Sequence, residues 1–96
     1  MNATLVTLSP MSRFYFDVRD GENFVSDEEG LEFPTVNEAR DDASRALGQM
    51  IKEAMPDGMH HDMAVEVRGA DKRPLFKVQI TFDVEPLAEH AFPTPL

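Results

Sequence analysis

The sequence predicts an α+β fold of order ββαββ: an antiparallel sheet of about four strands with one helix packed on one face. Three patterns carry this reading. Arg13 to Arg19 alternates Phe14, Phe16 and Val18 with Tyr15, Asp17 and Arg19, the period-two mark of a strand with one buried side. Between positions 36 and 54, apolar residues recur at steps of three and four, as on one stripe of a helix. Phe76, Val78, Ile80, Phe82 and Val84 then alternate strictly with Lys77, Gln79, Thr81 and Asp83, so the closing strand has one covered and one wet face.

Residues 1–11 read as a leader ahead of the domain, with no helical period and a Ser9-Pro10 ending. Met11 stands just before the first strand and is an expected translation start. Thr4 to Leu8 has strand propensity and would add to a sheet edge, including that of a neighbouring subunit.

After the first strand, Asp20-Gly21 supplies residues that tolerate positive φ and signals a tight hairpin. Glu22 to Ser26 is expected to return antiparallel, with Phe16 facing Val25 and Asp17 facing Phe24, so that Phe24 shares the second face with Tyr15. An acidic loop, Asp27-Glu28-Glu29-Gly30, leads to a short alternation, Leu31-Glu32-Phe33, closed by Pro34.

Thr35 and Glu38 form a capping-box pattern, in which the hydroxyl accepts from the Glu38 amide. Val36, Ala39, Ala43, Ala46, Leu47, Met50, Ile51 and Ala54 make the apolar stripe, and Pro56 and Gly58 end the helix. Asp41 and Arg45 are spaced for an i,i+4 ion pair. Gly48 is expected on the exposed side. Met63, Val65 and Val67 then alternate with Ala64, Glu66 and Arg68, and Gly69 to Pro74 is the loop before the last strand. The domain thus spans residues 12–84, and residues 85–96, with Pro86, Pro93 and Pro95, form an extended tail.

A chain of 96 residues holds one core. It has no cysteine, which excludes a disulfide scaffold and favours a cytoplasmic setting. Its longest early apolar run is far too short for a signal-peptide core or a membrane span. The net charge of -9 repels a phosphate backbone, so nucleic acid is not an expected partner.

The run from Arg13 to Gly21, followed by Asp27 to Pro34 and an alanine-bearing helix, resembles an uncharacterised family of small bacterial proteins, a domain of unknown function. The resemblance covers about residues 12 to 84 and implies the same strand, turn, loop, helix and strand-pair order. It carries no catalytic residue over. A second, fainter likeness is to the N-terminal domain of HicB-type antitoxins, through Asp27 to Gly30, Pro34, and Glu38-Ala39 to Ala46-Leu47. The DNA-binding extension of those antitoxins is missing here.

Among candidate sites, His60-His61-Asp62 with Asp57 nearby is the one bunching of metal-ligand types. Adjacent side chains of an extended segment point apart, so a solvated loop is expected and no metal. Asp20, Glu22, Asp27, Glu28 and Glu29 lack the glycine placement of a calcium loop and are read as solvated. Ser9, Ser12, Ser26 and Ser44 have no suggestively placed histidine, and His90 sits beside Glu89 in the tail. No catalytic residue and no cofactor is expected.

What remains is a surface. A single helix covers one side of the sheet, leaving Tyr15, Asp17, Arg19, Glu66, Arg68, Lys77, Gln79 and Thr81 as the possible partner surface. The expectation is a non-enzymatic binding or assembly module acting through this face or an edge, with a second copy or another protein as partner. The alternatives are an antitoxin-like neutraliser of a basic protein and an enzyme whose site is completed between subunits.

Overall fold

The computed structural model describes residues 11–54 and 58–92. The expected leader strand, Pro56, Asp57 and the last residues of the tail lie outside that range. The order is β1 (Ser12–Asp20), β2 (Asn23–Val25), β3 (Leu31–Phe33), α1 (Val36–Ala54), β4 (His60–Arg68) and β5 (Pro74–Asp83). All pairings are antiparallel, along the path β2-β1-β4-β5 with β3 also on β1. The expected α+β architecture is present, with an open sheet.

Five strands fill four positions because β2 and β3 share one edge of β1. β3 takes Ser12 to Phe14 and β2 takes Val18 to Asp20. Among the described residues no strand pairs with the middle of β1 on that side, and the acidic loop bridges the gap.

The hairpin register differs from the expected one. Val25 faces Val18 and Phe24 faces Arg19, in place of Phe16 and Asp17. Gly21, at φ 61, takes the first central position of the turn, where glycine is favoured, and Asp20 stays in the ladder opposite Asn23. The slip is two residues, so each side chain keeps its predicted face.

Helix α1 begins where Thr35 Oγ1 accepts the Glu38 amide at 3.1 Å. Ala39, Ala43 and Leu47 are buried against Phe14, Met63, Val65 and Val67, with Phe16, Phe33, Met50, Ile51, Phe76 and Val78 around them. Phe33 stacks on Phe16 with ring centres 5.8 Å apart, which fastens β3 and the helix entry to the sheet. Arg45 pairs with Asp42 rather than Asp41, which goes to Arg40; exposed i,i+3 and i,i+4 partners differ too little to fix the choice from sequence. A side chain added at Gly48 would meet nothing within 4 Å, as expected for an exposed position.

β4 starts at His60, so His60-His61-Asp62 is strand and not loop. Cross-strand partners Asp83, Phe82 and Thr81 supply ladder and side-chain bonds that local pattern does not reveal. No helix among the described residues is long and apolar enough to cross a membrane, which says nothing about β-barrels.

Candidate functional site

The side of the sheet away from α1 is built from alternate residues of three long strands. Tyr15, Asp17 and Arg19 of β1 lie beside Arg68, Glu66 and Ala64 of β4, and Glu66, Ala64 and Asp62 lie beside Lys77, Gln79 and Thr81 of β5. All eight sequence-predicted surface residues therefore share this face. They are not equally available.

Asp17 is buried, at 5% exposure, and is the correction to the expected open set. Its carboxylate accepts from Arg68 Nε at 2.8 Å and Nη2 at 3.0 Å, and from the Asp27 amide at 2.9 Å. Burial pushes its pKa up, but the Arg68 and Asp27 hydrogen bonds outweigh this and hold it below the usual aspartate value. Arg68 also donates to the Asp27 carbonyl at 2.9 Å, so the pair carries the loop.

The acidic loop is likewise not simply solvated. Asp27 Oδ2 accepts the Phe16 amide at 2.9 Å, filling the gap in the β1 ladder between β2 and β3. Its Oδ1 accepts the Glu29 and Gly30 amides, at 3.0 and 3.1 Å. Burial raises the Asp27 pKa and these three amides lower it further, leaving it below the usual value. Gly30, at φ 73, is pressed against β1: a Cβ there would lie 2.8 Å from the Phe14 carbonyl oxygen.

Asp17 stands opposite Glu66 in register, an unfavourable like-charge pair that diagonal bonding relieves. Asp17 takes Arg68 and Glu66 takes Arg19 at 2.8 Å. Arg19 lies over Phe24, 4.5 Å from the ring centre, and Arg68 lies over Tyr15 at 5.0 Å. Lys72 reaches the same Tyr15 ring at 5.2 Å from the β4–β5 hairpin.

That hairpin is held by the Lys72 amide on the Gly69 carbonyl, at 2.8 Å, and the Gly69 amide on the Arg73 carbonyl, at 2.9 Å. Lys72 itself adopts φ 67, a conformation that costs a lysine about 1 kcal/mol and a glycine almost nothing. Beyond the hairpin, a bulge shifts the β4–β5 register, with Val67 facing Phe76 and Arg68 facing Pro74. Leu75 is left half exposed beside a depression of about 320 Å³, walled by Arg68, Glu66 and Lys77. A second depression of about 270 Å³ lies over the small Ala64, between Arg19, Gln79 and Lys77.

At the far end of the face, His60 Nδ1 meets Asp83 and Nε2 meets Asp62 at 3.1 Å. Asp83, then Asp62, raise the His60 pKa. The Thr81 hydroxyl at 2.8 Å, then His60, lower that of Asp62. His61 turns to the other side, against Asp20. Among the described residues, no three His, Cys, Asp or Glu side chains are grouped to hold a metal ion.

Residues 13–81 match the family described as Domain of unknown function (DUF6894). The chain belongs to that family. The match ends within β5 and takes in the whole Asp17–Arg68–Asp27 network, Lys72 and the face residues from Tyr15 to Thr81, but not Asp83. No curated protein and no solved structure matches the chain.

Sequence reading missed Lys72, Leu75 and the structural duty of Asp27. Lys72 and Leu75 owe their places to a hairpin and a bulge, which leave no periodic signal.

Proposed function

We propose that this protein is a non-enzymatic binding module whose open sheet face receives a segment of another protein around Tyr15, Lys72 and Leu75. The observation that carries the reading is Lys72: a strained lysine stands where glycine would be more stable, and its ammonium is held over an aromatic ring on the uncovered face. Leu75 adds a half-exposed apolar anchor beside the larger depression. The other charged groups of the face are mostly satisfied by one another, which supports recognition rather than bond-making chemistry. Interleaved Asp17, Asp62, Glu66 and Asp83 argue against a phosphate backbone as the partner. The cysteine-free sequence supports a cytoplasmic setting.

The test is capture of partners from native lysate by the tagged full chain, read by mass spectrometry beside Lys72→Gly and Leu75→Ser variants. The expected result is one or more proteins retained by the natural chain and lost by both variants, while circular dichroism shows both folded. An identical protein set for all three would overturn the proposal.

A further inference from the structure

The two edges of the sheet are treated differently. One is broken into the three-residue strands β2 and β3 with the acidic loop between them, devices that discourage pairing with another chain. The other is β5, ten residues long, paired among the described residues to β4 on one side only. Its guards stand at the start, where Pro74 lacks an amide hydrogen and Leu75 is displaced by the bulge. From Lys77 to Asp83 the strand is regular.

Charge runs along this edge with a direction. Lys77 stands near its beginning, after an Arg73 that is paired with Asp71, and Asp83, Glu85 and Glu89 follow at and beyond its end. A neighbour with the same gradient sets each end against its opposite only when it runs antiparallel, and a second copy of β5 has that gradient by construction. Ile80, on the helix side, is 38% exposed where its neighbours Phe76, Val78 and Phe82 are more covered.

We infer that two copies of this chain pair β5 to β5 in an antiparallel, two-fold arrangement centred on Ile80, joining their sheets into one. In that register Ile80 meets its own copy, Val78 faces Phe82, Gln79 faces Thr81, and Lys77 of each copy stands opposite Asp83 of the other, a carboxylate that also meets its own His60. The apolar residues stay on the helix side of both sheets, and Pro74 and the bulge lie outside the paired segment. Registers centred nearer the start of β5 would draw Pro74 and Leu75 into the ladder and separate the lysine from the aspartate. The two-fold pairing names an assembly partner for the binding reading, but the β5 edge does not depend on Lys72 or Tyr15, so either can fail alone.

The experiment uses the full chain, which has no cysteine of its own. Sedimentation equilibrium should show a dimer at tens of micromolar. Lys77→Glu and Asp83→Lys should each weaken it by about tenfold or more, because each change acts twice in a symmetric pair, and the double exchange should restore it. Ile80→Cys should form an intermolecular disulfide on mild oxidation, since strand-opposed residues sit within bonding range. A monomer at 100-fold higher concentration overturns the inference. So does a dimer that ignores both charge reversals and cross-links through Phe24→Cys on the open face instead of through position 80. Lys72→Gly should leave the dimer intact while abolishing partner capture.

Discussion

Asp17 of β1 and Arg68 of β4 lie 51 positions apart in the chain and meet through two hydrogen bonds, although the register places Glu66 and Tyr15 opposite them. The pair is the most buried ion pair of the open face, and the acidic loop hangs from it. Removing one partner strands a charge that has little access to water.

Arg68→Ala and Asp17→Ala are therefore each expected to lower the urea midpoint, Arg68→Ala because it leaves the buried Asp17 carboxylate without its cation. The double variant should cost clearly less than the sum, because the second deletion removes the stranded group. Urea unfolding of the four proteins measures this coupling, and strict additivity would contradict the network.

Asp27→Ala should leave the part-buried Phe16 amide without its acceptor and cost about 1–3 kcal/mol, the usual range for a donor left unpaired. Hydrogen exchange at Phe16 should quicken more than at Val65, whose ladder is untouched. Asp17 and Asp27 both have pKa values below their unfolded ones, so their contribution is complete above the ordinary aspartate range and is lost as pH falls through the lowered folded values. Acid titration of the Asp27→Ala variant should accordingly show a shallower loss of stability than the natural chain.

Two glycines should respond in opposite senses to alanine. Gly30→Ala combines a positive φ with a Cβ crowded by the Phe14 carbonyl, Arg13 and Tyr15, and should destabilise by more than about 1 kcal/mol. Gly48→Ala, on the open side of α1, should stabilise by about 0.5–1 kcal/mol. Thermal melts of the two variants that moved the same way would refute the placement of one of them.

His60 stands between two carboxylates, and its pKa is raised. Its contribution is thus fully present below the ordinary imidazole value and fades as pH rises through the raised one. The ring protons of His60 should titrate above those of an unstructured histidine by NMR. His60→Gln should flatten the change in melting temperature over that window, and an unaltered profile would mean that the bridges do not persist in solution.

Much of this architecture was legible in the residues. Alternation in β1, β4 and β5 fixed which side chains go to the core, and even the hairpin slip preserved those faces because it was an even number of residues. The Thr35 cap announced the helix start, since the bond is made three residues away. The hairpin register itself was not legible, because Asp20 and Gly21 are both turn formers and the groups that meet them, the His61 side chain and the Asp62 carbonyl, come from a distant strand.

The one-dimensional pattern by itself therefore determined the kinds of element, their order and the parity of each face, all set by contacts within a few residues. Tertiary structure alone decided that β2 and β3 share one edge, that Asp17 is sealed by Arg68 and not offered to a partner, and that Lys72 lies over Tyr15. Those outcomes depend on groups far apart in the chain that meet only once the sheet has closed, and such pairings leave no local period to read.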